Sequence, residues 1–158
     1  KNSRLSANKN QIILIYNSLD NMTKITVEIT INAPISQVWE KRTLPEHITK
    51  WNFATDDREC PQVTNDLQVG GKMMSTMRAK DKSVSFDFER TYTLVEDQKQ
   101  IECVLDDGRK VSMNFEAIDE GTTIVTETFD AEETNPEELQ RGGRQAILDN
   151  FKKYVENN

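Results

Sequence analysis

Two charged residues, Arg90 and Glu127, fall on strand faces that are otherwise apolar. Alternate side chains of an extended strand share a face. This alternation groups Arg90 with Val84, Phe86, Phe88 and Tyr92, and it groups Glu127 with Val125 and Phe129. If both faces border one interior space, each charge must be paired, reached by water or turned outward by a bulge, because an unpaired buried ion is costly.

Proton transfer is one chemistry that these residues could support. Glu127 could act as a general base with Tyr92 as its partner, which would suit a cyclase or isomerase acting on an apolar substrate. His47, in the short helix with Trp51, could also act as an acid or base near neutral pH, although a surface or helix-packing role is the more ordinary interpretation. The spacing requires neither arrangement, so we assign no catalytic residue.

The supply of metal-binding side chains is small. The chain has a single histidine, which excludes sites that need two imidazoles. Cys60 and Cys103 form neither a CxxC pair nor a disulfide framework, as is typical of reduced thiols in a cytoplasmic protein. We therefore expect no metal ion and no cofactor.

Composition limits the classes of partner. The 158 residues include 20 Lys and Arg against 27 Asp and Glu, a net charge of −7, and no basic stripe is present that could neutralise a phosphate backbone. No apolar run reaches the roughly 20 residues of a membrane-spanning helix. These features predict a soluble, cytoplasmic protein that binds neither nucleic acid nor membranes.

The positions that could do chemistry depend on a regular series of elements. Residues 24–32 alternate apolar and polar side chains, which indicates a half-buried strand. Two short helices follow, one with Ile35, Val38, Trp39 and Arg42 at helical spacing and one that opens at Pro45 and ends near Trp51. Further strands are predicted near residues 62–65, 71–79, 83–95, 100–105, 109–118 and 122–130, and their short connections imply antiparallel hairpins.

A long helix closes the chain. It is predicted to begin near Asn135 and Pro136, where acidic residues occupy the first turn. Its apolar positions recur every four residues, at Leu139, Gly143, Ile147, Phe151 and Val155. Such a stripe needs a sheet to lie against, so the chain belongs to the α+β class.

Several short motifs resemble the family named after the activator of Hsp90 ATPase, in particular its bacterial single-domain members in the START-like (SRPBCC) superfamily. The motifs, in chain order, are residues 25–34 with Val38-Trp39, 45–48 with Trp51, 65–72, 86–89, 106–111, 135–141 and 146–151. The resemblance covers about residues 23–156. It implies the helix-grip fold, in which a curved antiparallel sheet wraps around the C-terminal helix and leaves a cavity between them.

In such a fold, inward-facing residues are both core and cavity wall. Methionine gives this wall an adaptable apolar surface, and the glycine pair 142–143 inside the long helix calls for a reason such as close backbone approach or room for a ligand. The predicted cavity residues are Trp51, Met73, Met77, Phe86, Phe88, Arg90, Tyr92, Met113, Phe115, Glu127, Phe129, Gly143, Arg144 and Ile147.

Three arginines depart from the family's pattern. Arg58 and Arg144 stand where tryptophan is expected, and Arg90 stands where glycine is expected. The resemblance therefore implies a more cationic cavity than in relatives, and a guanidinium in it could pair with the carboxylate or phenolate of an apolar ligand.

Three functions remain open at this stage. The leading hypothesis is non-enzymatic binding of a small hydrophobic or aromatic molecule, possibly an anion. The first alternative is proton-transfer catalysis in the same cavity. The second is a protein-interaction module that binds an Hsp90-type chaperone, as the family name suggests.

The chain is expected to form one START-like domain over residues 22–158. Residues 1–21 are rich in Asn, Ser and Lys and are expected to be an extension or an expression remnant. Within them, residues 11–16 have the composition of a strand and could pair with an exposed sheet edge.

Overall fold

The computed structural model describes residues 8–11 and 22–158. Of the strand-like segment 11–16 noted in the sequence, all but Gln11 lies outside the described residues. Among the described residues, no helix is both long enough and apolar enough to cross a membrane.

Residues 22–158 form one antiparallel sheet and three helices. The strands are β1 (Lys24–Ile31), β2 (Arg58–Asn65), β3 (Lys72–Ala79), β4 (Ser85–Glu96), β5 (Gln100–Val104), β6 (Lys110–Asp119) and β7 (Thr122–Asp130). The helices are α1 (Ile35–Thr43), α2 (Pro45–Ile48) and α3 (Glu137–Asn157). The strand order across the sheet is β1-β7-β6-β5-β4-β3-β2. This is the predicted α+β helix-grip fold, a curled seven-stranded sheet with the long helix at its concave side.

Register breaks accompany the curvature of the sheet. They lie between Glu59 and Gln62, between Tyr92 and Leu94, and between Ala117 and Asp119, and such irregularities bend and twist a strand. The predicted start of β2 near residue 62 is wrong. The strand begins at Arg58, and the first register break lies inside it. Pro61 is accommodated there because β2 is an edge strand with a bulge, where proline is tolerated.

The alternation in β1 places its apolar residues against the core. Ile25, Val27 and Ile31 are buried, and β1 pairs with β7 so that Val27 lies opposite Glu127. Strand β6 pairs with the other side of β7 and brings Met113 opposite the same glutamate. Glu127 is thus flanked by apolar side chains on both neighbouring strands.

Helix α3 packs unevenly along its length. Its buried residues, Leu148, Phe151 and Val155, all lie in the C-terminal half, where the Phe151 ring meets Trp51 at a centroid distance of 4.7 Å. By contrast, Leu139 in the first turn is 63% exposed. The apolar stripe predicted to bury along the whole helix therefore does so only from the middle onward, because the first turns stand over an unfilled space.

Polar side chains of α3 reach the outer edge of β1. Arg141, Gln145 and Lys152 donate hydrogen bonds to the backbone carbonyls of Thr26, Glu28 and Thr30, at 2.8, 3.2 and 2.8 Å. The three acceptors are alternate residues of one strand, so they point to one side. These bonds align the helix with the first strand of the sheet.

Candidate ligand-binding site

A cavity of about 220 Å³ lies between the first half of α3 and the ends of β5, β6 and β7. Leu105 and Val111 form part of its sheet side, and Leu139 stands over it from the helix. Four of the predicted cavity residues line it, namely Phe129, Gly143, Arg144 and Ile147. The structure also adds Arg109 and Gln140 to this wall, which the sequence did not single out.

Gly143 explains part of this space. A methyl group built at its Cα would meet no atom within 4 Å beyond its own neighbourhood in the helix, so close backbone approach is not the reason for glycine here. The side chain is simply missing where the cavity lies. Gly142, the preceding residue, is equally unhindered but is exposed.

Arg144 and Glu127 form an ion pair at the inner side of the cavity. Arg144 Nη1 donates to Glu127 Oε1 at 3.0 Å, and the Arg144 guanidinium lies 5.0 Å from the ring centroid of Phe129. Burial lowers the pKa of Arg144, and the carboxylate of Glu127 opposes that shift. The sequence left open whether Glu127 pairs with Arg90. In the structure, the salt-bridge partner of Glu127 is Arg144.

A second, enclosed space of about 10 Å³ lies deeper under the sheet. It has the room of about one water molecule. Its lining includes four predicted residues, Met73, Arg90, Tyr92 and Met113. Val111 borders both this space and the larger cavity, so the two are neighbours across one side chain.

Arg42 is a further residue of the candidate site that the sequence analysis did not single out. It is 7% exposed, lines the inner space, and donates from Nε to Met113 Sδ at 3.2 Å. Burial lowers the pKa of Arg42, and the neighbouring charge of Arg90 lowers it further. The available signal was its place in the apolar stripe of α1, since an arginine at a core position of a helix needs an explanation.

Arg90 faces the same inner space and is 8% exposed. Its guanidinium lies 5.2 Å from the ring centroid of Phe88. Among the described residues, its Nε is buried without a hydrogen-bond partner. Arg58, another arginine that departs from the family pattern, lies at the start of β2 opposite Ala79 and borders neither space.

The remaining predicted cavity residues border neither space. Trp51 and Phe115 are buried core residues, and Phe115 packs edge-on against Trp39 at 5.1 Å. Met77 and Phe88 are half-buried, and Phe86 is 52% exposed opposite Met77. Phe86 shares the predicted face of β4 but lies toward the end of the strand, so the structure brings it into neither space.

The acid–base groups considered from the sequence have other partners. Tyr92 Oη donates to Asn65 Oδ1 at 2.6 Å, while Glu127 accepts from Arg144. His47 Nδ1 lies 2.7 Å from Tyr154 Oη and is half-buried between α2 and α3, which fits the helix-packing interpretation. Glu127 and Tyr92 therefore do not form the base and phenol pair that proton transfer would use.

Comparison with known proteins agrees with this architecture. The chain is similar in structure to an AHSA1-like protein from Aeromonas hydrophila, with 43% identity and a TM-score of 0.80 over 85% of this chain and 93% of that one. It is also similar to a protein from Cytophaga hutchinsonii, with 49% identity and a TM-score of 0.74 at the same coverage. A protein from Chromobacterium violaceum shares the fold at 18% identity, with a TM-score of 0.76 over 86% of this chain and 99% of that one.

Among curated proteins, no significant match is found. The sequence pattern of one family, described as activator of Hsp90 ATPase homolog 1-like protein, matches residues 32–156. This range runs from the end of β1 nearly to the end of α3 and includes both spaces described above. The chain therefore belongs to the activator of Hsp90 ATPase homolog 1-like family, with a START-like fold.

Proposed function

We propose that this protein binds a small apolar or aromatic molecule in the cavity between the sheet and the first half of α3. The observation that carries the proposal is Gly143, a helical glycine that faces an unfilled space. A glycine inside a helix costs about 1 kcal/mol relative to alanine. Such a cost is understandable where the absent side chain leaves room for a ligand.

The character of the wall indicates the ligand class. Leu105, Val111, Phe129 and Ile147 give the cavity an apolar surface. Its polar groups come from Arg109, Asp130, Gln140 and Arg144. Ligand sites are commonly apolar pockets with a small number of placed polar groups. A volume of about 220 Å³ is below the range for drug-sized ligands, so the expected ligand has one or two rings or a short chain.

Binding without chemistry is the function that the polar groups support. Glu127 is engaged by Arg144 at 3.0 Å and Tyr92 by Asn65 at 2.6 Å, so neither group is free to exchange a proton with a molecule in the cavity. Arg144 instead gives the cavity wall a guanidinium whose position is fixed by Glu127. A charged group held by a second side chain can orient a ligand.

The test is a thermal-shift screen of small aromatic and aliphatic compounds, followed by NMR titration of the hits. A compound that binds the native state raises stability by about 2.7 kcal/mol at a hundredfold excess over its dissociation constant. We expect stabilising hits whose largest NMR shifts fall in the first half of α3 and in β6 and β7.

Two leucine variants make the test specific for this cavity. Gly143→Leu fills the space, whereas Gly142→Leu adds the same side chain, with the same gain in helix propensity, on the exposed face. We expect the hits to lose binding to Gly143→Leu and to keep it with Gly142→Leu. Equal binding to both variants would place the ligand elsewhere and refute the proposal.

A further inference from the structure

Two buried arginines, Arg42 and Arg90, lie on the concave side of the sheet near the ion pair of buried Glu127 with half-buried Arg144. Arg144 and Glu127 neutralise each other at 3.0 Å. Arg42 and Arg90 both border the inner space, and among the described residues neither has a carboxylate within salt-bridge distance. The interior beside the cavity therefore carries two uncompensated positive charges.

The contacts of these two arginines compensate only part of their burial. Each guanidinium lies over an aromatic ring, Arg42 over Trp51 at 5.3 Å and Arg90 over Phe88 at 5.2 Å. Such cation–π contacts are favourable, but they involve the face of the guanidinium and not its N–H groups. Arg42 donates to a thioether sulfur, which is a weak acceptor, and Arg90 Nε is buried without a partner.

Removing a guanidinium from water costs several kcal/mol unless its charge and its N–H groups are satisfied. Two such groups beside one small space repel each other as well. An anion between them would remove both costs at once. The orphaned donor of Arg90 thus points to a ligand group that accepts hydrogen bonds and carries negative charge.

We infer that the ligand of the proposed site is a carboxylate whose charged group binds between Arg42 and Arg90, while its apolar body extends past Val111 into the cavity beside α3. This inference rests on the proposed function and names the ligand class. Arg144 does not take this role, because its guanidinium is held by Glu127.

The shape and charge of the inner space favour a carboxylate over a phosphate. The space has room for about one water molecule, so a planar group with one charge needs less adjustment than a tetrahedral group with two. Met73 and Met113 form part of the wall, and flexible methionine side chains can move to admit it. Glu127 is close enough for its charge to act on Arg42. Its carboxylate would therefore repel the doubly charged phosphate more strongly than the singly charged carboxylate.

The test compares 2-naphthoate with 2-naphthamide, which differ in charge but share the same ring body. Binding is measured by fluorescence titration in a chloride-free buffer, so that chloride does not compete for the arginines. We expect wild type to bind the acid about tenfold more tightly than the amide, equivalent to about 1.4 kcal/mol. In Arg90→Gln the two affinities should become nearly equal.

Three further variants separate the roles of charge, geometry and location. Arg90→Lys keeps the charge but loses the planar fork, so we expect an intermediate preference and a fold that tolerates the change. Arg141→Gln removes an arginine of α3 that contacts Thr26 outside both spaces and should keep the full preference. If the preference disappears in Arg144→Gln and persists in Arg90→Gln, Arg144 holds the anion and the inference is wrong.

The remaining outcomes distinguish the two proposals. Equal affinity of wild type for acid and amide would overturn the anion site and leave the proposed function standing. If wild type binds neither compound, while the compound screen gives hits in the same cavity, the carboxylate assignment fails alone. If the screen also gives no hits there, both proposals fail.

Discussion

Arg144 on α3 donates a hydrogen bond to Glu127 on β7 at 3.0 Å. The bond joins the helix to β7, the strand next to the β1 edge, and fixes one wall of the cavity. Among the described arginines that border the two spaces, Arg42 and Arg90 are then left without a carboxylate partner.

The ion pair should be important for stability. Glu127→Gln leaves Arg144 without its carboxylate, and breaking a buried pair in this way costs about 3 kcal/mol. Urea denaturation followed by circular dichroism measures the loss. The double variant Glu127→Gln with Arg144→Met should recover most of it, because both charges are then removed. If the double variant loses as much as the sum of the two single variants, the residues do not interact.

Arg90 should reduce the stability of the ligand-free protein. Replacing this unpaired buried charge by methionine keeps similar apolar contact and should raise the free energy of unfolding by about 1–2 kcal/mol. The same replacement at the more exposed Arg141 serves as the control and should change it by less than about 0.5 kcal/mol. A destabilised Arg90→Met protein would show that the guanidinium is satisfied in the native state.

Phe151 anchors the packed half of α3. Its ring is fully buried against Trp51, so Phe151→Ala should cost about 3–5 kcal/mol in a urea titration. A loss below about 1 kcal/mol would mean that the helix contributes little to the core.

Tyr92 gives the protein a pH dependence above pH 9. Burial raises the pKa of its phenol above the usual value near 10. The folded chain therefore holds this proton more tightly than the unfolded chain does. The resulting stability is fully present below the unfolded pKa and is lost as pH rises through the folded pKa.

Tyr92→Phe isolates this effect. At pH 8 the variant should be less stable by about 1 kcal/mol, because it lacks the hydrogen bond to Asn65. Between pH 8 and 10.5 the difference from wild type should shrink, as measured by denaturation at several pH values. A constant difference would mean that the phenol titrates equally in the folded and unfolded chains.

The domain boundary proposed from the sequence predicts that residues 22–158 fold alone. The backbone pairing already begins one residue before β1, where the carbonyl of Thr23 accepts a hydrogen bond from the N–H of Ala131, the residue after β7. The shortened chain should therefore melt within a few degrees of the full chain in a calorimetric scan. A much lower melting temperature would show that the preceding residues are part of the fold.

The sequence predicts the strands and helices well because their signals are local. Alternation in residues 24–32 identifies both β1 and its buried face, and the stripe around Phe151 identifies the part of α3 that packs. The predicted start of β2 is wrong because the prediction begins the strand only after Pro61. Proline is tolerated here because β2 is an edge strand with a bulge, and neither its edge position nor the bulge is visible before the strand order is known.

The site is less predictable because its contacts depend on which elements meet. Alternation places Glu127 on an inner face, but it cannot choose between Arg90 and Arg144 as a partner. The same alternation assigns Phe86 to the inner face without showing that the end of β4 lies outside the two spaces. Arg42 belongs to a helix that the sequence describes only as core, so its meeting with Arg90 follows from the tertiary structure.

The hydrogen bonds from α3 to Thr26, Glu28 and Thr30 have a consequence for self-association. An edge strand with free carbonyls is a template on which another chain can add a strand. Arg141, Gln145 and Lys152 occupy these acceptors, so the helix that covers the cavity also blocks growth of the sheet from β1. Movement of α3 to admit a ligand would therefore uncover this edge for a time, and a bound ligand that holds the helix down would protect the protein from aggregation.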